Sequence, residues 1–150
     1  MRRDQRKHDN PDMGVLAARL LFALQRELFE RLAGLGFDDA RPRHGAVLAY
    51  LDAAGTRPGE LARLSGRRKQ TIGAIIDDLE RLGYVVRQAD PEDRRAALIV
   101  PTARGREFIA ASDAIVAEIE DAQASLIGPQ AYARLKRQLQ SITSPERALT

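Results

Sequence analysis

Residues 61–95 of the chain read LARLSGRRKQTIGAIIDDLERLGYVVRQADPEDRR, and this stretch decides the fold. It contains two helical patterns separated by Gly66, a residue that adopts positive φ without steric cost and so suits a sharp turn between helices. In the second pattern, apolar residues recur at spacings of three and four, which predicts a helix over residues 68–82. The buried face of this helix would carry Ile72, Ile75, Ile76, Leu79 and Leu82. Gly83 is its expected end.

The second part of the stretch has the pattern of a β-hairpin. Residues 84–88 and 96–100 are strand-like, and the segment Asp90-Pro91-Glu92-Asp93 between them is a turn signal. Arg94 and Arg95 follow the turn, and we expect Asp93 to hold one of their guanidinium groups through charge-assisted hydrogen bonds. Two helices followed by a hairpin predict a winged helix-turn-helix over residues 43–101.

Positive charge is concentrated where it does not stabilise the second helix. Arg67, Arg68 and Lys69 stand at its start, where each cation costs about a few tenths of a kcal/mol. Arg68 also occupies the position where Ser, Thr, Asp or Asn is the usual N-cap. A phosphate backbone would accept both the cations and the exposed N–H groups. An ordinary solvated helix end, and a hairpin tip whose charges serve solubility, are the alternatives.

Gly73 lies in the middle of the same helix, where it costs about 1 kcal/mol relative to Ala. Its small size lets the helix lie close to a partner. The charge distribution points the same way, because residues 56–106 carry 11 basic and 7 acidic side chains in a chain whose net charge is +3. A local basic excess of this kind is typical of a nucleic-acid binder.

The flanking segments predict long helices. We expect a mobile arm over residues 1–12, a helical dimerisation region formed by residues 13–36 and 102–145, and a helix over residues 43–54 between them. Thr102 is the predicted cap of the helix that follows the hairpin, Gly128-Pro129 breaks it, and Ser144-Pro145 ends the last helix. These helices carry more apolar surface than the winged domain can cover, which favours a two-fold dimer. A self-contained monomeric bundle is the alternative.

Composition and motifs exclude several classes of protein. The 150-residue chain has no Cys, which rules out disulfides and thiolate chemistry, and we find no P-loop, HExxH or defensible Ser-His-Asp spacing. His44 is predicted to be a solvated or capping histidine, and the pairs Asp38-Asp39 and Asp77-Asp78 are predicted to be solvated charge. We therefore expect no enzyme, cofactor or metal site. No signal peptide or membrane span is recognisable, so the cytoplasm is the expected compartment.

Residues 43–106 resemble the winged helix-turn-helix of the MarR family of transcription regulators. The helix-turn-helix spacing carries part of the likeness, and residues 90–96 match the family's wing signature. Residues 102–105 match the start of the helix that follows the wing. Arg67 and Arg68 depart from the pattern, since an apolar residue and a Ser are commoner at these two positions.

The resemblance implies a mostly α fold with a small β-hairpin wing, and a homodimeric regulator, most often a repressor, on a pseudo-palindromic operator. The implied DNA-binding residues are Arg67, Arg68, Lys69, Gln70 and Thr71, with Gly73, on the recognition helix, and Arg94 or Arg95 in the minor groove. A small aromatic or phenolic acid would bind between the dimer helices and the winged domain, with Arg19, Arg43 and His44 as candidate contacts. The alternatives are a non-sequence-specific architectural DNA-binding protein without effector and a helical dimer that binds only protein.

Overall fold

A computed structural model of the chain describes residues 1–144, which form seven α-helices, a 3₁₀ turn and one two-stranded hairpin. In chain order the elements are α1 (Arg3–Asp9), α2 (Met13–Gly34), the 3₁₀ turn (Pro42–His44), α3 (Gly45–Leu48), α4 (Pro58–Ser65), α5 (Lys69–Arg81), β1 (Val85–Ala89), β2 (Ala97–Pro101), α6 (Ala103–Ile127) and α7 (Pro129–Thr143). The predicted boundary at Pro145 lies outside the described residues. The predicted fold class, mostly α with a hairpin wing, is confirmed.

The helix-turn-helix is formed by α4 and α5, as the sequence predicted. Gly66 follows α4 with φ +69°, which gives the left-handed turn that leads into α5. The predicted apolar stripe of α5 packs into the core, where Ile72 and Leu79 are fully buried. The opposite face of α5 is exposed. Because the stripe fixes the rotation of α5, the same residues that fold the domain also decide which side chains face outward.

The hairpin is antiparallel, with Val85 opposite Pro101 and Ala89 opposite Ala97. A third segment joins it at one point. Thr56 and Ile99 exchange two backbone hydrogen bonds of 2.9 Å, so the chain before α4 lies against the outer edge of β2. This bridge was not predictable from the sequence, because a single residue carries no strand periodicity.

The predicted helix over residues 43–54 is wrong in extent. After the 3₁₀ turn, α3 ends at Leu48. Asp52 then builds a turn: its side chain accepts the Ala54 N–H at 2.8 Å, and its own N–H donates to the Thr56 hydroxyl at 3.0 Å. These local bonds satisfy backbone groups in a non-helical path and direct the chain toward the bridge with β2.

The predicted arm contains a short helix, α1, which no apolar pattern in the sequence indicated. None of its residues is buried. Its basic Lys7 pairs with Asp12, whose side chain also caps α2 by accepting the Val15 N–H at 3.0 Å. The mobility of the arm stays a prediction.

Thr102 caps the start of α6, as predicted, and hydrogen-bonds it to the residues that lead into the hairpin. The Thr102 hydroxyl accepts the Gly105 N–H at 3.0 Å and donates to the Gly83 carbonyl at 2.6 Å. The Thr102 N–H donates to the Tyr84 carbonyl at 3.0 Å. A Cβ atom on Gly105 would lie 2.0 Å from that carbonyl oxygen, so only glycine allows this close approach.

The long helices α2, α6 and α7 keep large apolar side chains on their surfaces. The most exposed on these helices are Leu126 at 84%, Ile142 at 65%, Met13 at 61% and Phe22 at 60%. Among residues 1–144, no helix is both long and apolar enough to cross a membrane.

Candidate nucleic-acid interface

The exposed face at the N-terminal end of α5 brings most of the predicted DNA-binding residues together. Lys69, Gln70 and Thr71 occupy the first turn and are all exposed, as are Arg67 and Arg68 before it. Gly73 follows one turn later, is half-buried, and has no atom within 4 Å of where a Cβ would lie. The geometry therefore leaves room for a partner to approach this part of the helix closely.

The cations at this helix end have no acidic partner within residues 1–144. Neither Arg67, Arg68 nor Lys69 forms an ion pair there. Arg68 is the N-cap residue, with φ −69° and ψ 148°, but its side chain makes no capping bond. The start of α5 thus presents uncapped N–H groups, a positive helix end and three cationic side chains to the outside.

The C-terminal half of α5 is different, because the acidic side chains there have partners in the same chain. Arg87 of β1 donates to Asp77 at 2.5 Å and to Glu80 at 2.8 Å. The Asp78 carboxylate accepts a hydrogen bond from Arg43 at 2.5 Å and also forms an ion pair with Arg81. The prediction that Asp77-Asp78 is merely solvated charge is therefore wrong, since both carboxylates attach the helix to neighbouring elements.

His44 is the most deeply placed of these partners, and the prediction that it is solvated is wrong. It is fully buried, its Nδ1 accepts the Arg41 N–H at 2.9 Å, and its Nε2 lies 2.6 Å from Asp78 Oδ2. The capping part of the prediction agrees with the bond to Arg41. Hydrogen bonds from His44 and then Arg81 lower the pKa of Asp78 to about 2. His44 therefore holds α5 against the 3₁₀ turn and is not open to a ligand.

At the hairpin tip, Arg94 and Arg95 are both exposed and make no ion pair with residues 1–144. The prediction that Asp93 holds a guanidinium group is wrong, because the Asp93 side chain accepts the backbone N–H of Arg95 at 3.0 Å. The Asp93 carboxylate thus stabilises the local turn by bonding to the backbone, and both guanidinium groups face outward.

Asp90 anchors the base of this tip, a role that the sequence analysis missed. It is buried and accepts the Arg57 Nε–H at 2.6 Å and the Glu92 N–H at 2.9 Å. These bonds, the backbone one first, lower the pKa of Asp90. Because Arg57 immediately precedes α4, the pair joins the hairpin to the helix-turn-helix. The sequence shows that Arg57 and Asp90 carry opposite charges, but it does not indicate that they pair, because they lie 33 residues apart.

A second cluster, formed by Asp39, Tyr84 and Arg104, joins the hairpin to α6; we call it the elbow. The Tyr84 hydroxyl donates to Asp39 at 2.5 Å, and Arg104 donates to the same carboxylate oxygen at 2.9 Å. The Arg104 guanidinium also lies 4.8 Å from the centre of the Tyr84 ring. Burial, followed by the bond to Asp39, raises the pKa of Tyr84. The prediction that Asp38-Asp39 is solvated charge is therefore wrong for Asp39.

An open groove of about 470 Å³ runs between α2, α3 and α6 and reaches the turn before α5. Its walls are mainly apolar and include Leu24, Phe29, Phe108 and Val116. Of the three predicted ligand contacts, Arg43 lines the groove. Arg19 does not line it and is exposed on α2, and His44 is enclosed by its bonds to Arg41 and Asp78. Arg67, predicted only as a DNA contact, also lines the groove.

No group of three or more His, Asp or Glu side chains among the described residues is arranged to hold a metal ion.

Comparisons with known proteins agree with this geometry. A sequence model of the MarR family matches residues 36–96. The chain is 41% identical over 51 residues to the HTH-type transcriptional regulator YcgE of Bacillus subtilis, which is 34% of this chain and 33% of YcgE. It is 27% identical over 111 residues to the transcriptional repressor MprA of Escherichia coli K12, which is 71% of this chain and 63% of MprA. The matched part thus spans less than two thirds of these curated relatives.

Solved structures extend the likeness to nearly the whole chain. CouR from Rhodococcus jostii RHA1, bound to p-coumaroyl-CoA, matches with a TM-score of 0.74 and 29% identity, covering 89% of this chain and 93% of CouR. CouR bound to a 23-mer DNA duplex matches with a TM-score of 0.73 and 27% identity, covering 91% and 96%. These relatives are regulators and not enzymes, as the absence of a catalytic motif predicted. Residues 36–96 therefore match the MarR family, and the fold of nearly the whole chain is similar to that of the transcriptional repressor CouR.

Proposed function

We propose that this protein is a sequence-specific DNA-binding transcriptional regulator that acts in the cytoplasm as a repressor. The observation that carries the proposal is the division of charge along α5. Asp77 and Asp78 in its second half are paired within the chain, whereas Lys69 and the arginines just before the helix have no acidic partner among residues 1–144. Phosphates supply the missing negative charge, and the uncapped N–H groups of the first turn fit the same ligand.

The proposed docking places α5 in a major groove and the hairpin tip in the adjacent minor groove. Lys69, Gln70 and Thr71 then read base edges, and Gly73 allows the helix to approach closely. Arg94 or Arg95 enters the minor groove, where an arginine responds to groove width. The Asp90 anchor supports this assignment, because it fixes the base of the tip relative to the helix-turn-helix. CouR, bound to DNA in its crystal structure, is the relevant precedent.

The regulator is proposed to bind its operator as a homodimer. The side chains of Leu126, Ile142, Met13 and Phe22 lie on terminal helices and are more than half exposed. Apolar surface of this kind is stabilised when a second copy covers it. A two-fold dimer would place the two α5 helices about 34 Å apart, one turn of DNA, which requires a pseudo-palindromic operator.

The groove between α2, α3 and α6 is proposed to bind a small aromatic or phenolic anion that releases the protein from DNA. Its apolar walls suit an aromatic ring, and two cationic residues, Arg43 and Arg67, line it. The relative CouR binds p-coumaroyl-CoA. Such a ligand would act by favouring a spacing of the two α5 helices that does not fit successive major grooves, and the coupling would be reciprocal.

One experiment tests the DNA part of the proposal. Fragments retained by the purified protein from a random pool are sequenced, and the enriched site and a scrambled copy are titrated by fluorescence anisotropy at rising salt. We expect binding to the enriched site at moderate salt, and the same fold but weaker binding for R94A/R95A. A steep salt slope with no preference between the two sequences would instead indicate architectural DNA binding. No binding to either would refute the proposal.

A further inference from the structure

The groove contains two guanidinium groups whose situations differ. Arg43 and Arg67 both line it, and Asp113 is the only carboxylate among its described lining residues. Arg43 is already engaged, because its Nη2 donates to Asp78 at 2.5 Å. Arg67 is exposed, its backbone N–H donates to the Ser65 hydroxyl at 3.3 Å, and its guanidinium group forms no ion pair with residues 1–144. An anion that enters the groove therefore meets its uncommitted positive charge at Arg67.

Arg67 also belongs to the proposed DNA surface. It lies between Gly66, which turns the chain, and Arg68, the N-cap of α5. Its side chain is exposed and stands beside both the groove and the first turn of α5, so an anion can approach it from either place. An anion that holds the guanidinium group in the groove reduces the positive charge that is offered to a DNA phosphate.

We propose that Arg67 is shared by DNA and by an amphipathic anion in the groove, which compete for its guanidinium group. This inference rests on the proposed function, and it adds a second route to release that requires no change in the spacing of the two α5 helices. The ligand class it specifies has an aromatic body for the apolar walls and an anionic group, such as a carboxylate, sulfonate or phosphate, at the Arg67 end.

The test uses a pair of fluorescent probes that differ mainly in charge. The first is 1-anilinonaphthalene-8-sulfonate, and the second is N-phenyl-1-naphthylamine, which has the same aromatic frame without the sulfonate. Each is titrated into the full-length protein and into R67A, R68A and A49W. Ala49 is exposed and lines the groove, so a Trp there fills the groove without replacing a core residue. Circular dichroism checks that each variant is folded.

We expect R67A to weaken binding of the sulfonate probe by about tenfold, the low end for a hydrogen bond between charged groups, and to leave the neutral probe unchanged. Arg68 is the matched control, because it is adjacent, exposed and absent from the groove lining. R68A should therefore weaken DNA binding but neither probe, and A49W should abolish binding of both probes. Equal loss in R67A and R68A, or probe binding that survives A49W, would overturn the proposal.

The competition is measured with the enriched DNA site present. Sulfonate probe should be displaced by DNA from the wild-type protein, and this mutual exclusion should be lost in R67A. Simultaneous, independent binding of probe and DNA to the wild type would overturn the proposal while leaving DNA binding itself intact. If the protein binds no DNA but its affinity for the sulfonate probe still depends on Arg67, the proposed function is refuted. The proposal that DNA and the anion share Arg67 is then refuted as well.

Discussion

The close approach of α6 to the hairpin makes a large substitution effect predictable from geometry. In Gly105→Ala, the new Cβ would lie 2.0 Å from the Tyr84 carbonyl oxygen and 3.3 Å from the Pro101 Cβ. The first distance is far inside any normal contact, and the atom it meets belongs to the backbone. Either α6 or the segment that leads into β1 must therefore move, which also strains the hydrogen bond from the Thr102 N–H to the same carbonyl.

Two effects of opposite sign determine how far Gly105→Ala changes the free energy of unfolding. Overpacking of a well-packed site costs about 1–3 kcal/mol, and a clash with backbone belongs at the upper end. Alanine in place of glycine inside a helix returns about 1 kcal/mol. The expected net loss is about 2 kcal/mol, which corresponds to a fall in Tm of roughly 4–8 °C for a chain of this size.

Thermal unfolding followed by circular dichroism measures this change, at one fixed protein concentration because Tm of an oligomer depends on it. Gly73→Ala is the matched control. It makes the same chemical change inside α5, where no atom lies within 4 Å of the new Cβ, so only the helix term of about 1 kcal/mol remains and Tm should rise. Equal Tm values for Gly105→Ala and wild type would refute the argument from close approach.

Three further outcomes are expected. Asp90→Ala should weaken operator binding several-fold more than Glu92→Ala, because only Asp90 anchors the hairpin although both changes remove one negative charge. Equal affinities of the two variants in anisotropy titrations would show that the Asp90 anchor does not contribute to DNA binding. Because the pKa of Asp78 is lowered to about 2, its contribution to the free energy of unfolding is complete above about pH 4 and is lost as pH falls toward 2. Denaturant titrations should therefore show a smaller decrease in the free energy of unfolding between pH 4 and pH 2 for Asp78→Asn than for the wild type. Equal decreases would contradict the role of its hydrogen-bond partners. Lys69→Ala and Gln70→Ala should alter which bases are enriched in a site selection or lower affinity, and a protein indifferent to both does not read bases with this helix.

Local patterns in the sequence were sufficient for the parts of the fold whose causes are local. The stripe from Ile72 to Leu79, the turn at Gly66 and the cap at Thr102 each depend on neighbours within a few residues, and each was predicted. The extent of α3 was mispredicted because Leu51, three residues after Leu48, continues a helical spacing that the turn at Asp52 overrides.

The parts that escaped prediction depend on pairs distant in the chain. His44 and Asp78 lie 34 residues apart, and Asp39 and Arg104 lie 65 apart, so no spacing rule could match them. The candidate DNA surface was easier to predict because it is defined by cations that disobey a local rule at the start of α5. The ligand residues were harder, since which arginine lines the groove is decided by packing.

In the proposed dimer on DNA, the elbow has a mechanical consequence for the spacing between the two wings. Because Tyr84, Asp39 and Arg104 connect the hairpin to the first turn of α6, we expect the winged unit to move together with α6. Its 25 residues make an arm about 37 Å long. A tilt of about 5° at the far end would carry the wing through roughly 3 Å, close to the 3.4 Å rise of one base pair. In the proposed complex, a tilt of this size would thus move the wing by about one base-pair step along the DNA.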